Sequence, residues 1–377
     1  MTCDRCGESR TEGALFCPYC GADLREECPR CREYAAGGAL FCGACGRRLP
    51  QEQRPRRSPA DRDMEQIERV SLVAVPAALV LLFLELWYMV SGTLEVWDWS
   101  ADMSMSIYAL VPNLVTVAEI SGLQLQVAWI LIEAAVLLSA AVLLWQSWTT
   151  VRDGEASAET LLETPVYRTS AVVAASLVAS VALSLLLALL GVDIESADTP
   201  TGSGAEPLLT YADAAVWEEV IARVAPIGVP MAVAALICKK KGWWRMLFGG
   251  FGMSRLSVLL ILLSALMFGF AHYSGWGLWK ILPTFATGLL LGYLYVRVGV
   301  HATIVAHFII DYMAVTAYDT TFSMTVTSVA MLALLVLGVA VWILYVAKLW
   351  RNRGALKEMP NWMPPDQESS FSRRRDD

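Results

Sequence analysis

The chain has 377 residues, of which 56% are hydrophobic and 17% charged, against about 25% charged in a soluble domain. That balance argues against an ordinary soluble enzyme and for a membrane-embedded chain. The net charge of −7 argues against nucleic acid as a partner, and the charges crowd into residues 1 to 69 and the tail from Lys348.

Eight of the nine cysteines fall in residues 1–50, which contain an internal repeat. Ala14-Leu15-Phe16-Cys17-Pro18-Tyr19-Cys20-Gly21 recurs as Ala39-Leu40-Phe41-Cys42-Gly43-Ala44-Cys45-Gly46, and the pairs Cys3/Cys6 and Cys28/Cys31 precede the two copies. Two Cys-x-x-Cys knuckles ten residues apart supply four thiolates for one tetrahedral zinc. Cys3, Cys6, Cys17 and Cys20 are expected to hold one ion, and Cys28, Cys31, Cys42 and Cys45 a second. A disulfide framework needs an oxidising compartment, and the polar, Cys-rich N-terminus shows no secretory leader. The pattern resembles the double zinc ribbon. Both zincs are expected to be structural because thiolates fill all four positions, and the ribbons are expected to dock a protein partner. Residues 51–69 form a basic, proline-containing linker.

From Val70 onward the apolar runs reach membrane-spanning length, predicting an all-α polytopic bundle of about eight transmembrane helices over residues 70–347. The expected helices cover about 70–90, 123–146, 169–192, 211–238, 255–272, 278–297, 300–318 and 323–347. Ile107–Ile120 is apolar but interrupted by Pro112 and Asn113, and reads as an interfacial or re-entrant piece. Arg54, Arg56, Arg57, Arg62 and Arg69 precede the first helix, whereas the loops carrying Glu95, Asp98 and Asp102, and Asp193 to Glu206, have no Lys or Arg. By the charge rule both termini are cytoplasmic in a cell-membrane protein, and the tail 348–377 is an uninformative, disordered-type segment. Glu85 and Glu133, inside apolar helices, read as protonated or helix-bridging carboxyls. Gly288 and Gly292 read as a close helix contact, and Cys238 as a buried or interfacial thiol.

The chemistry concentrates in Trp217-Glu218-Glu219-Val220-Ile221-Ala222-Arg223, within the apolar run Tyr211–Cys238. A carboxylate at membrane depth is costly and is kept for function or for a partner. Glu219 and Arg223 share a helix face and can pair, while Glu218 points about 100° away. The chain has three histidines, His272, His301 and His307. Phe268 and His272 share one helix face, as do His307 and Asp311, whereas His301 opens a helix and reads as interfacial. Such a set can carry general-base hydrolysis: a desolvated glutamate takes a proton from water, a histidine orients that water, and a further donor faces the oxyanion. The three helices would have to converge. Orientation by loop charge puts Glu218 and His272 in the outer halves of their helices, with His307 and Asp311 near mid-helix.

Glu218-Glu219-x-x-x-Arg223, Phe268-x-x-x-His272 and His307-x-x-x-Asp311, in that order, resemble the CPBP family of CAAX proteases and bacteriocin-processing enzymes, also called Abi, over residues 165–320. The resemblance implies an intramembrane glutamic endopeptidase acting on a membrane-associated protein or peptide. It implies Glu218 as base with His272, His307 and Asp311 on the oxyanion side, Glu219 as a second acid and Arg223 as its ion-pair partner, with no catalytic cofactor. The CAAX-processing branch usually has Asn where this chain has Asp311, which puts CAAX specificity in doubt. An ionised Asp cannot donate to an oxyanion, so Asp311 is either protonated or acts by fixing the His307 tautomer. The competing readings are a non-enzymatic membrane scaffold or immunity factor acting through its ribbons, a metal site on His272, His307 and a glutamate, and an ion-coupled transporter using Glu85, Glu133 and Glu218.

Overall fold

The computed structural model describes residues 59–111, 113–154, 157–194 and 200–351, together with positions 30 and 44. The eight ribbon cysteines, most of the linker and the tail past 351 lie outside the described residues. The chain divides into Met1–Asp63 and Met64–Asp377, and the membrane bundle belongs to the second unit.

In chain order the elements are α1 (Pro59–Ser71), α2 (Ala74–Ser91), α3 (Thr93–Ser100), β1 (Ser104–Val111) and β2 (Asn113–Ser121). Then come α4 (Leu123–Asp153), α5 (Ala158–Glu163), α6 (Pro165–Leu189) and α7 (Ala205–Ile237). The remainder is α8 (Arg255–Ala271), α9 (Leu278–Arg297), α10 (Val300–Thr316) and α11 (Thr321–Arg351). Each of the eight apolar runs is a helix. Six of the helical stretches, Glu65–Ser91, Leu123–Asp153, Pro165–Leu189, Ala205–Ile237, Arg255–Trp276 and Thr321–Arg351, are long and apolar enough to cross a bilayer.

The two others depart from the expected span for physical reasons. Helix α9 carries Lys280 in its first turn and Arg297 in its last. Helix α10 has 17 residues, about 25 Å at 1.5 Å per residue, short of a hydrocarbon core of about 30 Å. It needs no lipid contact, because Ala302 to Ile309 are buried without interruption and α2, α4, α6, α7 and α9 all pack on it. A helix buried all round is a core helix. Helix α10 is therefore the axis of the bundle.

Close helix approaches follow the small residues. An added Cβ at Gly288 would lie 3.1 Å from Ala265 Cα, and one at Gly292 2.9 Å from Ile261 Cγ2, so the Gly288/Gly292 face seats α9 on α8 as expected. Gly338 lets α11 approach the Ala174 carbonyl of α6 in the same way. Helix α8 begins at a capping box in which Ser254 Oγ accepts from Ser257 N at 3.1 Å and Ser257 Oγ accepts from Ser254 N at 2.7 Å.

The segment around residues 107–120 is a two-stranded antiparallel hairpin with register Ser104↔Ser121 to Val111↔Asn113 and an irregularity between Ile107 and Tyr108. Val115, Thr116, Val117 and Ile120 favour extended backbone over the broken apolar helix or loop that a re-entrant reading implies. Leu110 packs in one cluster with Ala222, Phe268 and Ala271, and Trp217 Nε1 donates to the Tyr108 carbonyl at 2.8 Å. The hairpin therefore sits against α7 and α8.

Between α10 and α11, Asp319 accepts hydrogen bonds from Ser203 and from the Tyr88 hydroxyl, the latter at 2.5 Å. These two donors, Ser203 first, favour the ionised form and hold its carboxyl below the ordinary value. A folded-state value below the unfolded one stabilises the fold above the unfolded pKa of about 3.9 and ceases to do so as pH falls through the lowered folded value. Asp319→Asn is therefore expected to lower the melting temperature slightly at pH 7, the effect being small because the group is exposed. The gap from wild type should close on acidification, as read from thermal unfolding of the detergent-solubilised protein at both pH values.

Candidate active site

Helix α7 is not a regular α-helix: Ala214–Glu218 and Val220–Gly228 are wound as π-helix. Pro226 has no N–H and so gives no bond to the preceding turn. The Ser264 hydroxyl of α8 donates to the Ala222 carbonyl in that turn. Wider π turns frequently occur at functional sites, and here they carry Glu218 and Arg223, with Glu219 at the junction between them.

Glu219 and Arg223 have no exposed side-chain surface, and Arg223 Nε lies 3.4 Å from Glu219 Oε2. The guanidinium carbon stands 4.2 Å from the centroid of Phe268, a cation–π contact in a desolvated setting. The other Glu219 oxygen, Oε1, receives His307 Nδ1 at 2.8 Å. His307 Nε2 then faces Asp311 Oδ2 at 3.2 Å and Glu218 Oε2 at 3.7 Å. His272 Nδ1 lies 2.9 Å from the Phe268 carbonyl, to which it donates, leaving Nε2 3.9 Å from Glu218 Oε2. The Phe268 ring meets His272 and His307 edge-on at 4.8 and 6.0 Å. Phe268 thus touches the arginine and both histidines.

The site has a dry floor and an open side. Glu219 and Arg223 are at 0% exposure, whereas the side chains of Glu218 and Asp311 are each 29% exposed and that of His272 18%. Glu218 Oε2 is buried and has no hydrogen-bond partner among the described residues, although it faces two imidazoles. Both ring nitrogens of His307 face carboxylates. An imidazolium donates to both, whereas a neutral ring would set a lone pair against one of them. Glu219, rather than Asp311, holds the Nδ1 side of that ring.

All six residues singled out in the sequence meet here, from α7, from the end of α8 and from α10. Glu133 lies elsewhere and accepts from Thr93 Oγ1 at 2.8 Å, a bridge from α4 to the start of α3. Glu85 is fully buried with neither oxygen bonded among the described residues, and lies within the electrostatic reach of Asp311. His301, expected to be interfacial, opens α10 and its Nε2 meets Gln146 Oε1 of α4 at 3.0 Å. Cys238 is exposed at the end of α7, so of its two expected settings the interfacial one fits and the buried one does not. Among the described residues, no group of three or more His, Cys, Asp and Glu is arranged to hold a metal ion.

Sequence reasoning missed Ser264, Trp217 and Lys280. Pro226 marks an irregular turn, although nothing local identifies Ser264. Ser264→Ala removes one buried hydrogen bond between α8 and α7, an expected loss of about 0.5–1.5 kcal/mol, to be checked by denaturant unfolding against wild type.

Comparison with known families places two segments. Residues 3–46 match the model of the double zinc ribbon, and residues 205–313 match that of the type II CAAX prenyl endopeptidase Rce1-like family. No curated protein and no solved structure matches the chain. The second segment begins with α7 and ends two residues past Asp311, so it contains all six residues of the site.

Proposed function

We propose, from the match of residues 205–313 to the Rce1-like CAAX endopeptidase model, that the bundle is an intramembrane peptidase of the glutamic type. It hydrolyses a peptide bond in a membrane-associated protein or peptide. The observation that carries this reading is the position of Glu218 Oε2, unbonded and facing Nε2 of both His272 and His307 at 3.9 and 3.7 Å.

Water held between Glu218 and His272 loses a proton to the Glu218 carboxylate as its oxygen attacks the scissile carbonyl carbon. The tetrahedral oxyanion takes its hydrogen bond from the Nε2–H of His307, whose other nitrogen is anchored by Glu219. Collapse breaks the C–N bond, and the proton on Glu218 passes to the leaving nitrogen, giving a carboxylate and an amine. Arg223 holds Glu219 in place from below. Asp311 shares the His307 Nε2 proton in the resting site and yields it to the oxyanion. Because Asp311 stands where the CAAX-processing branch usually has Asn, this assignment does not require a prenylated substrate.

Eight thiolates in four Cys-x-x-Cys pairs fit two tetrahedral zinc ions, with Cys3, Cys6, Cys17 and Cys20 on one and Cys28, Cys31, Cys42 and Cys45 on the other. Bound there, zinc supplies fold stability to a segment too small to hold a core, and the ribbons recruit a protein partner from the cytoplasmic side, where both termini lie. Zinc counting on the purified chain should give two ions, falling by one in Cys3→Ser.

For the peptidase, Glu218→Gln is expected to lower turnover about 10²–10⁴-fold, the span of general-base catalysis, with the fold retained. The check is a comparison of membrane proteomes from cells carrying wild type or Glu218→Gln, in which substrates persist uncleaved in the variant. Equal cleavage in both would remove Glu218 from the chemistry. Indifference of every substrate, together with partners captured by residues 1–50, would favour the non-enzymatic scaffold.

A further inference from the structure

A basic and aromatic segment, residues 238–254, joins two of the stretches long enough to cross a bilayer, Ala205–Ile237 and Arg255–Trp276. The connection therefore lies at a membrane surface. It begins Cys238-Lys239-Lys240-Lys241-Gly242-Trp243-Trp244-Arg245-Met246-Leu247-Phe248, and residues 220–310 contain no Asp or Glu. Lys239, Lys241 and Arg245 are exposed. Trp243, Trp244 and Phe248, on a short 3-10 turn, are 39%, 50% and 57% exposed. Aromatic rings left uncovered between two spans belong at headgroup level, where an indole finds an apolar side and a wet one.

Lys239 closes α7 in a strained conformation. Its φ is 54°, and among the described residues it is the one non-glycine residue with positive φ. Lys239 N donates to the Leu236 carbonyl at 2.9 Å and Lys240 N to the Ala235 carbonyl at 3.0 Å, the pair of bonds that ordinarily ends a helix on a glycine. Glycine adopts this backbone freely, whereas a residue with a Cβ does not. A charged side chain kept at such a position points to a use for the charge. The segment beyond is fixed to α9. The Tyr295 hydroxyl donates to the Leu247 carbonyl at 2.7 Å, and Gly250 N and Gly252 N donate to the Tyr295 and Val296 carbonyls, each at 2.9 Å. These bonds set Arg297, at the end of α9, beside the segment, and Arg255 follows it at the start of α8.

We propose that residues 239–248 bind the headgroup of an anionic phospholipid, with Lys239, Lys241 and Arg245 meeting its phosphate and the rings of Trp243, Trp244 and Phe248 entering the bilayer surface beside it. Charge complementarity selects the partner. A headgroup of net negative charge gains from each cation, whereas a zwitterionic one sets its own ammonium against them. Leu236 and Ile237, exposed at the end of α7, offer the apolar flank for its acyl chains. An added Cβ at Gly228 would lie 3.2 Å from Leu247 Cα, so the lipid is held against the helix that carries Glu218 and Glu219. The site does not depend on the peptidase reading.

The test titrates the full chain, in a neutral detergent, with phosphatidylglycerol or phosphatidylcholine and follows the melting temperature. Phosphatidylglycerol is expected to raise it at a lipid fraction where phosphatidylcholine does not, and the preference should fade with added salt. In Lys239→Gly/Lys241→Gln/Arg245→Gln the apparent affinity for phosphatidylglycerol should fall about a hundredfold, at about fivefold per cation removed. Lys241→Arg/Arg245→Lys keeps the charge and should bind as wild type does. An equal response of wild type to both lipids, or an undiminished preference in the triple variant, overturns the assignment. So does an equal rise with soluble glycerol phosphate, which would make this a site for free phosphate. Should the triple variant fail to fold, Lys239→Gly decides alone. Without lipid it should melt no lower than wild type, since the backbone strain is relieved, and its affinity for phosphatidylglycerol should fall about fivefold. Unchanged affinity there overturns the assignment.

Discussion

Two opposite charges with no exposed surface hold this bundle together at its centre. Desolvating a glutamate and an arginine costs several kcal/mol for each ion, which their mutual attraction and further contacts offset. Glu219 spends one oxygen on Arg223 and the other on His307, and Arg223 lays its planar head on Phe268. The partners come from three helices, so neutralising one ion pair also fixes how α7, α8 and α10 converge. The two histidines inherit their positions from this arrangement. His307 is held by Glu219, and His272 by the backbone of the same phenylalanine that covers the arginine.

Adjacent identical side chains have opposite fates here. Glu219 is enclosed, ion-paired with Arg223 and bonded to His307, while Glu218, one residue earlier, keeps an unbonded oxygen facing two imidazoles and a partly wetted side chain. The difference follows from helix geometry, since neighbouring residues on a helix point to different faces. One direction leads into the packed floor and the other toward α10 and the open side. The sequence pattern Glu-Glu thus sends one carboxylate into the packed floor and the other toward the open side.

Much of this is legible in the chain itself. Local rules suffice for the apolar helices, for the Glu219–Arg223 pairing four residues apart, for the shared faces of Phe268/His272 and His307/Asp311, and for the Gly288/Gly292 contact. What escapes them depends on distant neighbours. The bond from His307 to Glu219 spans 88 residues and that from Ser264 to Ala222 spans 42, and no periodicity reports either. The π winding of α7 contains Pro226, whose missing N–H can be read in the chain, whereas the bond from Ser264 cannot. The hairpin reads as a re-entrant piece because Pro112 and Asn113 break an apolar run in either case, and β-branched content alone decides between them. Counting spans by apolar length also treats a helix encased in protein as if it met lipid, which is how α10 reads as an ordinary span.

The hairpin has a bearing on how such a site can be inherited. Its Leu110 packs on Ala222 and Phe268, and its Tyr108 carbonyl anchors the indole next to Glu218, yet it lies nearly a hundred residues upstream of the segment matched to the protease model. The six clustered side chains and the hairpin packed beside them are therefore encoded in separable parts of the chain. A graft of residues 205–313 onto foreign helices would carry those side chains without the hairpin. Conversely, drift in residues 104–121 can reshape the surroundings of Trp217 and Phe268 while leaving all six unchanged, which makes this strand pair an economical place for divergence.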